Sequence, residues 1–545
     1  MIAVSITKKF SSIAPFFYIL LLLILGLFAF HKTFSLAIFG DEWVVLWNVK
    51  NSLVITGRWD SYIDQFIGPG YRLGALMMYF LTESFGTDGK AVYIFSFITR
   101  FLAASSLFYF LKRRQCSYPV SFVGAIFFLI SPIGIQATDW VKNSVSYISI
   151  IFFLFCIDSI YNLRSWKNVL VFSLTFFISI YVNPVRGHGI ILTATILLVF
   201  QYFFNKTVHK KRIIFSLLCS FVLDFILYKM FFQAGINIPP HPIEKILGAV
   251  GATLLPQINY YYVGLLTGTL LLWKRYLFTK RYLFFTLVFH LVVFSTLFGS
   301  FFQISSERMF TILGVYFILF MISTFIIELS SHKISEALNT SLSFLLSASF
   351  VIAPILVGTL VIDPTHRYFI YSALSLPLIV AFSLSQNFAL KLKEKSISVC
   401  ITLLLFVVFF QSLKSEVNKM YIGHNQNTDK ILWQQLASYF DNYDFKNHTP
   451  VVFIDTNNGA VVHDTVTFGF GFHMGYMYKI WVSNINEKER RLPIAVDSLA
   501  DFNSLLTDGK ANQKYIGKGY NLIFPKEDGF YFKIDGLKVS RIKDY

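Results

Sequence analysis

The chain has 545 residues, of which 55% are hydrophobic and 14% are charged, and its mean hydropathy is +0.59. Soluble proteins carry about 25% charged residues, so this composition excludes an ordinary soluble globular chain. The formal net charge is +17, but Lys and Arg form short clusters between apolar runs, a topology pattern that argues against a nucleic-acid partner.

The first apolar run covers residues 14–30 and follows Lys8 and Lys9. A cleaved signal peptide needs small residues before its cleavage site. This run ends instead in Phe30, His31 and Lys32. The sequence therefore predicts an uncleaved first helix with its N-terminus in the cytoplasm.

Apolar runs continue along most of the chain. A spanning helix needs roughly 20 mostly apolar residues, and about thirteen runs approach that length. They predict an all-α polytopic membrane bundle over residues 1–413. The runs lie at 13–30, 91–111, 119–136, 143–161, 168–182, 187–204, 213–233, 246–272, 282–302, 309–328, 341–361, 368–390 and 396–413.

One further run, 71–85, is short and contains Arg72 and Glu83. If it spanned the membrane, every later loop would change sides. If it lies flat at the interface, all the basic clusters face the cytoplasm, as the positive-inside rule requires. We therefore predict an interfacial helix inside a long first external loop, 31–90. The clusters are 112–114, Arg164 with Lys167, 206–212, 274–281, Lys333 and 391–395.

Residues 414–545 form a polar segment that the same topology places outside the membrane. The stretch 429–440 is amphipathic, and the runs 451–455, 520–524 and 530–534 resemble strands. The segment is therefore predicted to be a small extracytoplasmic α/β domain.

Carboxylates occur at the predicted outer ends of the helices, where ionisable groups call for an explanation. Asp41 and Glu42 follow the first helix, and Asp139 precedes the fourth. Adjacent carboxylates point in different directions, so one can act as a general base while the other holds a neighbouring group. The alternative is a solvated loop pair or a helix N-cap.

Cationic and aromatic residues occur on the same predicted side. Arginine suits phosphate because its planar fork makes bidentate, charge-assisted hydrogen bonds, and a helix N-terminus adds free N–H groups. The alternative is a set of interfacial anchors. The set comprises Arg186 and His188 in NPVRGHG, Arg308 in SSERMF, and His366, Arg367 and Tyr368 in DPTHRYF.

These features together resemble the GT-C superfamily of membrane glycosyltransferases, in the branch of protein O-mannosyltransferases and lipid A aminoarabinose transferases. Asp41-Glu42 matches the DE dipeptide that opens the first external loop of that branch. YRLGALMMYFLTESFG resembles its second interfacial helix, Arg186-Gly187 its basic residue before the sixth helix, and HRYFIYSALSLP its late basic-aromatic motif. The chain departs from the branch at residues 69–73, PGYRL, where Pro-Pro-Leu is common.

The resemblance implies an inverting transfer from a polyprenyl-phosphate sugar at the outer face of the cytoplasmic membrane. Asp41 would be the general base, and Glu42 and Asp139 would orient the acceptor or the sugar. The donor phosphate would be held by Arg186, Arg308 and Arg367. The branch requires no metal, although two close carboxylates suit Mg²⁺ or Mn²⁺, so a divalent cation stays open.

The acceptor predicted here is a lipid-linked or cell-surface glycan of the O-antigen or lipopolysaccharide type. Two alternatives are enzymes: a protein O-glycosyltransferase, and a polymerase or ligase of lipid-linked polysaccharide. A third is a transporter or flippase of lipid-linked sugars. Transporters tend to have inverted repeats and charges at mid-depth, whereas this sequence shows no repeat and its charges cluster at one surface.

Overall fold

A computed structural model of the chain describes residues 2–38, 41–58, 69–86, 89–205, 209–231, 240–253, 306–331, 333–356, 362–387, 392–425, 435, 438, 449–454, 494–496, 499–508, 529–535 and 538–542. The chain divides into two compact units. The first contains Met1–His31 and Phe95–Val417, and the second contains Lys32–Ile94 and Asn418–Tyr545.

Helices dominate the described residues, and most of those before Asn425 are built from the apolar runs or from the first loop. In chain order they are α1 (Ile2–Phe30), α2 (Asp41–Thr56), α3 (Arg72–Phe85), α4 (Lys90–Arg113), α5 (Tyr118–Leu129), α6 (Gln136–Asp139), α7 (Val145–Tyr161), α8 (Trp166–Val182), α9 (Gly187–Phe204), α10 (Lys210–Phe231), α11 (Pro242–Ala252), α12 (Ser306–Ser330), α13 (Ile334–Leu356), α14 (Ser375–Asn387) and α15 (Leu392–Asn425).

Among the described residues, five helical segments are long and apolar enough to cross a membrane, and three shorter helices are also apolar. This supports a polytopic membrane bundle. The count of thirteen spans stays a prediction, since the run 282–302 and most of 246–272 lie outside the described residues. The five are Ala14–Ser35, Lys90–Arg113, Val141–Tyr161, Pro184–Phe204 and Phe310–Ser330.

Two predicted runs become helical over only part of their length. The run 119–136 ends as a helix at Leu129, and the run 368–390 begins as an α-helix at Ser375, after two 3-10 turns. The segment after Leu129 packs closely on the second of these runs at Gly134, whose φ is +69° and where a Cβ would lie 2.5 Å from the backbone of Ile370. Hydropathy reports that a segment is apolar and does not report its backbone conformation. These segments were therefore predicted as helix, although they form loops.

The first external loop contains two short helices, α2 and α3, of 16 and 14 residues. A 14-residue helix is about 21 Å long at 1.5 Å per residue, shorter than the hydrocarbon core of about 30 Å. Lys50 on α2 forms a salt bridge with Glu83 on α3 at 3.2 Å. This geometry fits the interfacial helix predicted for 71–85.

The C-terminal part of the chain contains a four-stranded sheet, as the α/β prediction required. Its strands are β1 (Thr449–Ile454), β2 (Ile494–Val496), β3 (Gly529–Asp535) and β4 (Lys538–Arg541), in the order β2-β1-β3-β4. The described residues of this part also include the helix α16 (Leu499–Asp508). β1 is parallel to β2 and β3, and β4 is antiparallel to β3. The predicted strand 520–524 and nearly all of the stretch 429–440 lie outside the described residues.

Helix α7 makes ion pairs near one of its ends, and its other end lies near Asp139, a predicted site residue. Asp158, in its last turn, forms ion pairs with Arg113 and Arg114, two members of a predicted cytoplasmic cluster. The helix begins at Val145, a few residues after Asp139. At 1.5 Å per residue, about 20 Å separates these two ends. The basic cluster and the candidate site therefore lie at opposite ends of this helix.

Candidate functional site

Three loops of the first unit meet at one end of the bundle. Loop A (residues 130–144) joins α5 to α7, loop B (183–186) joins α8 to α9, and loop C (362–374) precedes α14. Loops A and C are paired through their backbones: Gly134 N donates to Pro364 O at 2.7 Å, and Gln136 N donates to Thr365 O at 3.0 Å. The segments that carry Asp139 and Arg367 are therefore fixed to each other.

Loop B joins the same assembly through Asn183. Its side-chain amide donates to Ser146 Oγ at 2.8 Å and to the hydroxyl of Tyr371 at 3.4 Å. Tyr371 is buried and stacks on Phe350 of α13, with ring centres 4.5 Å apart. Asn183 thus ties the loop that carries Arg186 to the loop that carries Arg367.

Two arginines from different loops contact one aromatic ring. The guanidinium carbon of Arg186 lies 3.9 Å from the centre of the Tyr368 ring, and that of Arg367 lies 5.7 Å from the same centre. Arg367 also lies 4.5 Å from the ring centre of Trp140 in loop A. Rings at these distances attract cations through their quadrupoles. We call Trp140, Arg186, His366, Arg367 and Tyr368 the arginine cluster.

The electrostatic effect of the cluster is visible at His366. Burial and the positive charges of Arg367 and Arg186 lower the pKa of His366 from 6.5 to about 3. Its Nδ1 accepts a hydrogen bond from Tyr368 N at 3.3 Å, which the neutral ring can do. His366 is therefore uncharged at neutral pH, and it is held among cations. A region with this potential favours an anion.

Other predicted residues of the first unit lie at the edges of the cluster. Asp139 ends α6 and directly precedes Trp140, and its side chain is half-buried. His188 is half-buried in the first turn of α9, two residues after Arg186. The buried ammonium of Lys142 lies 5.1 Å from the Trp140 ring centre.

Arg308 stands apart from this group. Its side chain is exposed in the first turn of α12, and it contacts none of the cluster residues in the part of the chain that the structure describes. The SSERMF motif marks the start of a helix. It does not indicate the direction in which its arginine side chain points. The structure therefore does not bring Arg308 to the other predicted phosphate ligands.

The carboxylates Asp41 and Glu42 belong to the second unit. Glu42 is 2% exposed, and its Oε2 accepts a hydrogen bond from the Tyr93 hydroxyl at 2.9 Å. The same hydroxyl lies 3.3 Å from His424 Nδ1 on α15. Asp41 is the first residue of α2, and its side chain lies outside the described residues. Glu42 thus accepts a hydrogen bond within its own unit, and its predicted part in orienting the acceptor or the sugar stays a prediction.

Sequence reasoning overlooked four residues of these regions. Trp140 and Arg100 belong to the first unit, and Tyr93 and His424 to the second. Arg100 carries the clearest signal, a charge in the middle of an apolar run. Trp140, Tyr93 and His424 are residue types that are common at membrane interfaces and helix ends. Only their contacts in the structure identify them as parts of these regions.

Metal binding was left open for the carboxylates. Among the described residues, no group of three His, Cys, Asp or Glu side chains is placed to hold an ion. The side chain of Asp41 lies outside that search, so a divalent cation at the Asp41-Glu42 pair remains an open expectation.

Comparison with known proteins gives no match to a family model and none to a curated protein sequence. The chain is similar in structure to the oligosaccharyltransferase AglB from Archaeoglobus fulgidus, solved with an inhibitory peptide and a dolichol-phosphate. The TM-score is 0.41, with 11% identity over 89% of this chain and 65% of that one. A structure of the A. fulgidus oligosaccharyltransferase with Zn and sulfate has a TM-score of 0.43, with 14% identity over 77% and 56% of the two chains.

A further similar structure is ArnT from Cupriavidus metallidurans bound to undecaprenyl phosphate. Its TM-score is 0.35, with 9% identity over 90% of this chain and 94% of that one. AglB and ArnT are GT-C glycosyltransferases, the superfamily that the sequence resembles. This chain spans less than two thirds of the oligosaccharyltransferase chains. The TM-scores of these three structures are all below 0.5, so a function for this chain is argued from its own residues.

Proposed function

We infer that this chain is a membrane glycosyltransferase of the GT-C type, which transfers a sugar from a polyprenyl-phosphate carrier. The observation that carries the proposal is the arginine cluster. Arg186 and Arg367 come from different loops and converge on Tyr368 at 3.9 and 5.7 Å. Burial, together with their charges, lowers the pKa of His366 to about 3. Two guanidinium groups beside one aromatic ring give this region a positive potential, which favours the binding of an anion.

The kind of anion follows from the surroundings. Arg186 is 4% exposed, and it sits at the start of Pro184–Phe204, a helical segment apolar enough to cross a membrane. Arg367 Nε is buried and makes no hydrogen bond to any described residue. A lipid phosphate is an anion that can reach a site at the end of a membrane bundle. Guanidinium groups suit its oxygens because they make bidentate hydrogen bonds.

The chemistry requires a base and a leaving group. In the proposed reaction, Asp41 takes the proton of an acceptor hydroxyl while its oxygen attacks the anomeric carbon. The bond from that carbon to the phosphate oxygen breaks, the configuration inverts, and polyprenyl phosphate leaves with its negative charge held by Arg186 and Arg367. Asp139, half-buried beside Trp140, is proposed to orient the sugar or the acceptor.

The proposed acceptor is a lipid-linked or cell-surface glycan of the O-antigen or lipopolysaccharide type, at the outer face of the cytoplasmic membrane. A protein O-glycosyltransferase and a polymerase or ligase of lipid-linked polysaccharide use the same donor chemistry, so an acceptor panel separates them. A flippase would move the lipid-linked sugar without releasing polyprenyl phosphate. The position of the arginine cluster at helix ends rather than at mid-depth favours a transferase.

The test is transfer by the purified full chain from a panel of polyprenyl-phosphate sugars, measured as release of polyprenyl phosphate. Asp41→Asn is expected to lose nearly all turnover while remaining folded. Glu83→Gln is the matched control, because Glu83 is a half-exposed carboxylate of the same unit that pairs with Lys50. Normal transfer by Asp41→Asn would show that Asp41 is not the base. Release from none of the donors by the wild-type chain would refute the proposed function.

A further inference from the structure

Arg100 is a buried cation outside the arginine cluster. It lies in α4, inside an apolar run of membrane-spanning length, and its side chain is 0% exposed. Charged residues in such segments are costly and usually functional. The mechanism proposed above does not use it.

The guanidinium of Arg100 is surrounded by oxygens of uncharged groups. Its Nε donates to Leu129 O at 2.9 Å, and Nη2 donates to Ser131 O. Nη1 donates to Thr138 Oγ1 at 2.9 Å and to the Tyr147 hydroxyl at 3.1 Å. Across the described residues, no carboxylate forms a salt bridge with Arg100. The charge is therefore solvated by the protein itself rather than neutralised by an ion pair.

These acceptors have a common location. Leu129 O and Ser131 O lie where α5 ends, at a helix C-terminus whose last carbonyls have no partner within the helix. A cation at that end also complements the helix dipole. Arg100 thus donates hydrogen bonds to carbonyls that a further turn of α5 would otherwise satisfy, and it fixes the start of loop A.

The middle of loop A is held by the same side chain. Thr138 Oγ1 lies 2.6 Å from the Tyr147 hydroxyl, and both bind Arg100 Nη1. Thr138 O accepts a hydrogen bond from Ser96 Oγ, also on α4, at 3.0 Å. Asp139 and Trp140 follow directly. The guanidinium carbon of Arg367 lies 4.5 Å from the ring centre of Trp140. One guanidinium therefore fixes the start and the middle of loop A, which supports Arg367 through Trp140.

We propose that Arg100 is a positioning residue for the candidate site: it fixes loop A so that Asp139 and Trp140 stand against Arg367. This inference rests on the proposed function, because the positioning is useful only if Asp139 and Arg367 act on a substrate. A lysine keeps the charge but lacks the planar fork that reaches several oxygens at once. A methionine keeps the volume and removes the charge.

The experiment compares Arg100→Met, Arg100→Lys and Thr138→Val in the full chain, in lipid nanodiscs. We expect Arg100→Met to lower kcat per folded molecule at least tenfold, with Arg100→Lys and Thr138→Val intermediate. The KM for the polyprenyl-phosphate sugar should change by less than threefold in Thr138→Val. Arg113→Met is the matched control, since Arg113 is the last residue of the same helix and is largely exposed. Its kcat should stay at the wild-type value.

A spectroscopic readout separates positioning from a loss of folding. The emission of Trp140 is obtained by subtracting the spectrum of Trp140→Phe from that of the parent chain. We expect this difference spectrum to shift to the red in Arg100→Met and in Thr138→Val, because loop A loosens and Trp140 leaves Arg367. Wild-type kcat and an unshifted spectrum in Thr138→Val would overturn the inference, even if Arg100→Met fails to fold. If the wild-type chain transfers no sugar, the proposed function fails, and an unshifted spectrum overturns the positioning of Trp140 independently.

Discussion

The guanidinium of Arg186 lies 3.9 Å from the centre of the Tyr368 ring, which joins loop B to loop C through a cation and an aromatic face. Arg186 is buried, whereas Tyr368 is half-buried. Tyr368 therefore contacts Arg186 and Arg367 from a position that keeps part of its ring open.

The first prediction concerns phosphate binding by Arg186. Arg186→Met is expected to weaken binding of polyprenyl phosphate by about 10- to 100-fold, since hydrogen bonds to charged groups contribute about 1.5–3 kcal/mol. Arg308→Met should change it by less than about twofold, because Arg308 is exposed and separate from the cluster. Equilibrium binding of the lipid to both variants in nanodiscs tests this. An equal loss of polyprenyl-phosphate binding in the two variants would indicate that Arg308 also binds the phosphate.

The second prediction concerns the buried carboxylate Glu42. Tyr93→Phe removes the hydroxyl that donates to Glu42 Oε2 at 2.9 Å, and a buried acceptor that loses its donor costs about 1–3 kcal/mol. We expect a lower apparent Tm than for the wild-type chain. Tyr109→Phe, an exposed tyrosine on the same helix α4, is the control. Equal Tm values for the two variants would show that this hydrogen bond does not stabilise the protein.

The third prediction concerns pH. The pKa of His366 is about 3 in the folded chain, below its ordinary value of 6.5, so the unfolded chain binds more protons between these values. Folding stability from this group is therefore complete above pH 6.5 and is lost as the pH falls towards 3. His366→Asn removes the titration and should flatten that part of the profile. Apparent Tm between pH 7 and pH 4 measures the difference, and parallel profiles would contradict it.

The fourth prediction concerns topology. A tag inserted after Arg114 is expected in the cytoplasm and a tag after Tyr545 outside, because the positive-inside rule assigns the basic clusters to the inner face. Labelling by a membrane-impermeant reagent in intact and in permeabilised cells distinguishes the two sides. Finding both tags on one side would overturn the predicted number of spans.

Local sequence determined the elements. Apolar length identified the segments that became α4, α7, α9 and α12, since a helix in lipid satisfies all its backbone hydrogen bonds internally. The short run 71–85 was separated from them by its charges, and it became the 14-residue helix α3. The strands β1 and β3 followed from their β-branched and aromatic residues. The carboxylates and cations of the candidate site were also visible as charges at helix ends.

Only the tertiary structure decided which of those charges meet. Arg186 joined Arg367 at one tyrosine ring, whereas Arg308 is exposed and contacts no cluster residue in the described part of the chain, although the same argument had grouped all three. Asn183 and Tyr371, which hold loops B and C together, are 188 residues apart in the chain. Hydropathy and motif spacing report what a residue is and which helix end it occupies. They do not report its direction around the helix or the distant segment that packs against it, and those two quantities make Arg100 a buried support and Arg308 an exposed side chain.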